Sequence, residues 1–149
     1  MQVTFRTAER ADVPAILALL KDDVLGAARE ADELALYLAA FDEIAADPKA
    51  QIIVGTDAAG EIIACAQLNV LAGLSFTAAK RALVEGVRVS SALRSAGIGA
   101  ALMAECEARA RAAGCTLIQL TSNNTRSRAH AFYARLGYAA SHTGFKKPL

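Results

Sequence analysis

Tryptophan is absent from this chain, histidine occurs only twice, and the three cysteines cannot all pair with one another. An odd count without a Cys-x-x-Cys pair argues against a disulfide framework and against a structural zinc site. Cys65, Cys106 and Cys115 each sit inside an apolar segment and read as reduced core residues. No apolar run reaches the ~20 residues of a membrane span. The opening Met1-Gln-Val-Thr-Phe-Arg6 has no charged head and apolar body of a signal peptide. The expectation is a soluble, cytoplasmic protein without a membrane partner. A net charge of +1 leaves no basic excess, so nucleic acid is not expected as a partner either. Two nucleotide motifs are also missing. There is no Gly-Lys-Ser/Thr, and the dinucleotide fingerprint fails because position 102 is leucine and no acid lies near Gln119.

What is present is a length of 149 residues, enough for one domain with a real core. Val3–Arg6 reads as a first strand, and Asp12 as the cap of a helix with Pro14 in its first turn. Val13, Ile16, Leu17, Leu20 and Val24 form an apolar stripe at helical spacing. A break is expected around Gly26–Arg29, then a second helix through Leu34, Leu38, Phe41 and Ile44, ended by Asp47-Pro48. Ile52–Val54 and Glu61–Leu68 read as strands joined by the turn residues Asp57-Ala-Ala-Gly60. Leu71–Ala79 is an irregular connection to a central strand, Ala82–Val89. An Ala-rich helix follows from Gly97 to about Ala113, with Gly114 beyond its end and Glu105, Glu107, Arg109 and Arg111 on a solvated face. Thr116–Thr121 is another strand, and Ser127 caps a helix to Leu136 that Gly137 closes. Tyr138–Phe145 is expected to add a last strand or hairpin. This order predicts a mixed α/β sandwich with helices on both faces of a twisted sheet.

The central stretch is Arg81-Ala-Leu-Val-Glu-Gly-Val-Arg-Val-Ser-Ser-Ala-Leu-Arg-Ser-Ala-Gly-Ile-Gly99, a strand running into a basic, Gly-containing turn at a helix N-terminus. Unpaired N–H groups and the helix dipole make such a place an anion site. Glycines at 97 and 99 let an anion approach the backbone, and Arg94 supplies charge. Arg94-x-x-Gly97-x-Gly99 in this setting resembles the pyrophosphate-binding turn of the GNAT superfamily of N-acetyltransferases. Phe5-Arg6-Thr-Ala-x-x-x-Asp12 resembles that family's usual start, and Ala129-His-Ala-Phe-Tyr-Ala-Arg-Leu-Gly-Tyr138 its second cofactor motif. The tail Ser141–Lys147 is similar to small bacterial members, including aminoalkylphosphonate acetyltransferases. The resemblance spans the whole chain and implies the GNAT fold: a single acetyltransferase domain over residues 1–149, α/β (α+β) in class. Its sheet would be mostly antiparallel, with the central strands splayed.

The resemblance further implies acetyl-CoA as cosubstrate and a small-molecule or peptide amine as acceptor. Direct attack by the amine is expected, since no cysteine lies in a motif for an acyl-enzyme. The main chain of Val87, Arg88 and Val89 would meet the pantetheine arm, and Arg94, Ser95, Ala96, Gly97, Ile98, Gly99 and Ala100 the diphosphate. Gly86 inside an otherwise strong strand marks either a bulge that turns the Val87 N–H toward the thioester carbonyl or plain tight packing. Tyr133, where the family places a tyrosine near the sulfur, is the candidate acid for the leaving thiolate. Glu85 is the candidate base, the alternative being an ion pair with Arg81 or Arg88. The chain departs from the family pattern seven residues before Tyr133, where Arg126 stands in place of a pantetheine-binding asparagine. Asn123 is the candidate substitute, with Arg126 or Arg128 near the phosphates. No metal is expected. Many members pair through their terminal strands, which leaves a homodimer open. A second reading keeps the CoA site without catalysis, as an acyl-CoA sensor or interaction module.

Overall fold

The computed structural model describes residues 1–149, which divide into two compact units, Met1–Gln119 and Leu120–Leu149. In the first unit the elements run β1 (Thr4–Thr7), α1 (Val13–Lys21), α2 (Val24–Arg29), α3 (Leu34–Ala46), β2 (Ala50–Thr56), β3 (Ile62–Leu71), α4 (Ser75–Ala78), β4 (Arg81–Val89), α5 (Ile98–Ala112) and β5 (Leu117–Gln119). The five strands lie in sequence order, β1-β2-β3-β4-β5. The first three pairings are antiparallel and β4 pairs with β5 in parallel. The expected mixed, mostly antiparallel sheet is therefore present.

Strand alternation divides the sheet's residues between two cores. Val54 and Cys65 face α1, where they pack with Ile16 and Leu19. Their neighbours Ile53, Ala64 and Ala66 point the other way, as does Leu68, and α5 covers that side of β3 and β4 with Leu102, Met103 and Cys106. Burial pushes the Cys65 and Cys106 thiols up to about 12, so both are inert. Cys115 differs from the expectation and is only half-buried.

Four further expectations are corrected in this unit. Asp12 does not cap α1. Its carboxylate forks the Arg6 guanidinium at 2.6 and 2.9 Å and accepts the Glu9 N–H at 2.7 Å. Gly26 is not a break but lies inside α2, where a Cβ would sit 1.8 Å from the Leu20 carbonyl oxygen. Asp23 starts that helix by accepting the Gly26 N–H. Arg109 is not solvated. It spans from Glu105 (2.7 Å) to Thr7 (2.9 Å) and Gln51 (2.7 Å), tying α5 to β1 and β2. Strand β5 is shorter than expected, ending at Gln119.

The second unit contains one helix, α6 (Ser127–Arg135), followed by Gly137 at φ 91°. Its cap position is Arg126 rather than Ser127, without a side-chain cap bond. The terminal strand or hairpin expected over Tyr138–Phe145 does not form. Residues 139–149 are exposed throughout and offer no apolar face to bury.

Candidate active site

Strand β4 carries two features that bear on ligand binding. Cys65 pairs with Arg88 and Gln67 with Glu85, so Gly86 and Val87 together oppose Ala66. This is a β-bulge, and Gly86 sits in it at φ +60°. Of the two readings of Gly86, the bulge is the one observed. A Cβ there would find its nearest neighbour, Leu20 Cδ2, at 3.9 Å, so backbone conformation and not crowding selects glycine. The second feature is an open edge. Pairing with β5 covers only Arg81, Ala82 and Leu83, and Val84–Val89 have no ladder on that side. A strand edge without a partner presents main-chain N–H and C=O groups to a ligand. The Val87 carbonyl on this stretch accepts a bond from its neighbour's guanidinium, Arg88 Nη1, at 2.9 Å.

The edge leads directly into a tight turn. Ser91–Leu93 form a 3-10 turn, Arg94 is extended, and Ser95 and Gly97 are left-handed at φ +70° and +80°. A serine held there is strained, a condition that persists mostly at functional sites. Helix α5 then starts at Ile98 without a side-chain cap, so the N–H groups of Ile98, Gly99 and Ala100 lack intrahelical partners. A Cβ on Gly97 would meet nothing within 4 Å. Arg94, Ser95, Ala96 and Gly97 are exposed.

A tie holds this turn to the end of α1. Asp22 accepts the Ser91 N–H (2.6 Å) and hydroxyl (2.9 Å), and its carbonyl accepts Arg94 Nη2 at 2.8 Å. The Ser91 backbone bond, then the hydroxyl bond, keep the Asp22 carboxyl below the usual carboxylate range. Nothing in the sequence pattern flagged this contact, because the partners are 69 residues apart.

Glu85 is exposed and forms no ion pair with Arg81 or Arg88. The Arg88 side chain is spent on Asp23 instead, at 3.5 Å, with both side chains largely buried. Glu85 shares its sheet face with Leu83 and Arg81, and across β3 with Gln67 and Asn69, which bond to each other at 2.9 Å. Arg81 reaches Gln119 Oε1 on β5 at 3.5 Å. Sequence reading passed over this polar strip; alternating Gln67 and Asn69 in an otherwise apolar strand was the available signal.

Tyr133, Asn123 and Arg126 belong to the second unit. Half-buried Tyr133 packs edge-to-face on Phe132 and Tyr138, with ring centroids 5.1 and 5.8 Å away. Asn123 Oδ1 is occupied locally by the Thr125 N–H (2.9 Å) and hydroxyl (2.7 Å). His130 Nε2 contacts the Asn123 carbonyl at 2.9 Å, which pins the loop to α6.

Comparison with known proteins agrees with this geometry. The profile of the acetyltransferase (GNAT) family matches residues 13–138. An aminoalkylphosphonate N-acetyltransferase of Salmonella typhimurium strain LT2 is 46% identical over 57 residues, which is 38% of this chain and 37% of that protein's length. The crystal structure of a transcriptional regulator from Bacillus halodurans C-125 superposes with a TM-score of 0.95 at 39% identity, covering 99% of this chain and 100% of that one. AAC(6')-Iy in complex with the bisubstrate analogue CoA-S-monomethyl-acetylneamine superposes with a TM-score of 0.83 at 14% identity, covering 100% and 99%. At that identity the likeness shows the fold alone. With the family profile spanning most of its length, the chain belongs to the GNAT family of acetyltransferases.

Proposed function

We propose that residues 1–149 work as one acetyltransferase domain that transfers the acetyl group of acetyl-CoA to a primary amine by direct attack. The observation that carries the reading is the open Val84–Val89 edge of β4, bulged at Gly86 and running into the left-handed turn before α5. The residues present suit a diphosphate: free first-turn N–H groups at Ile98, Gly99 and Ala100, bare backbone at Gly97, and the exposed Arg94. Main-chain groups of Val87, Arg88 and Val89 would bind the amides of the pantetheine arm as an added strand does. Acetyl-CoA supplies the activated thioester. Glu85, exposed and unpaired, takes the proton that the amine loses, through water where needed. A C–N bond forms as the C–S bond breaks, and Tyr133 gives its phenolic proton to the departing thiolate. Arg126 lies near the phosphates in this reading, and Asn123, its Oδ1 engaged, contributes only its amide donor.

The CoA analogue bound to AAC(6')-Iy, a protein of the same fold, supports the choice of cosubstrate. The aminoalkylphosphonate relative puts that class of amine on the acceptor panel. The relative described as a transcriptional regulator favours a second reading, in which CoA binds without catalysis. One experiment separates the two: calorimetric titration with acetyl-CoA, followed by thiol release across a panel of primary amines. Saturable thiol release that falls in Tyr133→Phe supports the enzyme. Tight CoA binding with no thiol release above hydrolysis supports the sensor, and no CoA binding refutes both.

A further inference from the structure

Arg81 and Glu85 carry opposite charges on one face of β4, yet neither is paired. The register with β3 fixes them on that face, opposite Leu71 and Gln67. Four residues of strand separate their Cα atoms by about 13 Å, which is too far for a direct bridge. Arg81 has no carboxylate partner. Its single side-chain bond is to Gln119 Oε1 at 3.5 Å, the long limit of a hydrogen bond, and its Nε is buried with no partner at all. A buried cationic N–H left unsatisfied costs free energy, and an anion brought to this guanidinium would offset that cost. Leu83 lies between the two charges on β4, and beside it on β3 the face turns polar at Gln67 and Asn69. Glu85 is the member beside the bulge, where acetyl transfer is assigned.

Resting on that assignment, we propose that this strip is the acceptor subsite and that it selects a small amine bearing its own anionic group. The ammonium end would sit at Glu85, next to the bulge, and a carboxylate or phosphonate would be held by the Arg81 guanidinium. A guanidinium fork matches either anion. A molecule with both charges neutralises both residues at once, which a neutral-tailed amine cannot do.

The test compares 2-aminoethylphosphonate and 3-aminopropanoate with propylamine and ethanolamine as acceptors, read by thiol release. The first two separate phosphonate from carboxylate recognition. Wild type should favour an anionic amine in kcat/KM, and R81Q should lower that preference about 10- to 100-fold, the range for losing a charged hydrogen bond. The loss should fall in KM, R81K should restore part of it, and the affinity for CoA should stay as in wild type. Calorimetric titration of 2-aminoethylphosphonate and 3-aminopropanoate into the CoA complex reads the same subsite without turnover. Weaker binding to R81Q than to wild type supports the subsite even if no amine is acetylated, a result that would refute only the catalytic reading. Equal activity on neutral and anionic amines, an R81Q that weakens all acceptors alike, or equal binding to R81Q and wild type in the titration overturns the inference. Melting curves of both variants identify a merely unfolded protein, for which the R81K data decide.

Discussion

Replacing Gly97 with alanine separates what the turn costs the fold from what it gives the ligand. Gly97 sits at φ +80°, and an added Cβ would meet no atom within 4 Å. The folded protein therefore suffers only the left-handed backbone penalty, about 1–2 kcal/mol. For a chain of this length that is a fall in Tm of roughly 3–6 °C. The ligand suffers more. The empty space above Gly97 is the proposed seat of the diphosphate, and the methyl group would push it off the neighbouring N–H groups. Losing one or two charge-assisted hydrogen bonds, at about 1.5–3 kcal/mol each, raises the Kd for CoA about 10- to 100-fold or more. Gly60 is a built-in control. It has φ +86°, and a Cβ added there would also meet nothing within 4 Å, but it lies in the turn between β2 and β3. Gly60→Ala should show the same fall in Tm with CoA affinity unaltered. Melting curves and calorimetric titration of the two variants side by side give the result. Equal CoA affinities would refute the placement of the diphosphate.

Three further outcomes are expected. Tyr133→Phe should lower kcat about 100-fold with CoA affinity preserved, as for loss of a general acid; an unchanged kcat removes Tyr133 from the chemistry. Asp23→Ala strips the partner from the largely buried Arg88 guanidinium and should destabilise by about 3–5 kcal/mol, while the double variant D23A/R88M should recover much of that in urea titrations. Asp12 has its carboxyl lowered chiefly by the Arg6 hydrogen bonds, so its contribution is complete above the unfolded value near ~3.9 and is lost as pH falls through the folded one. Asp12→Asn should accordingly cost about 1–2 kcal/mol at pH 7, and the gap from wild type should close in melts taken at progressively acid pH.

The features that were legible in the sequence are those written in local chemistry. Asp57 and Gly60 announce a hairpin, and Gly86 inside a β-branched run announces an irregular strand. Ser95 and Gly97 stand where the chain must turn before a helix. Where the reading went wrong, distance in the chain is the reason. Gly26 looks like a helix breaker by propensity, but it is required by the Leu20 carbonyl against which α2 packs. Helical periodicity put Arg109 on a polar face, and it could not say that a long guanidinium stem reaches Gln51 and Thr7 on the sheet. The polar strip of Arg81, Glu85, Gln67 and Asn69 exists only once the β3–β4 register and its bulge are known. The Asp22–Ser91 tie likewise joins segments that no local pattern connects.

Hydrogen exchange of backbone amides, followed by NMR with and without CoA, tests the central assignment most directly. Slowed exchange should appear at the Val84–Val89 edge and at residues 97–100, with β1 and β2 unaffected. Protection that appears elsewhere in the chain while those amides exchange as in the free protein would contradict it.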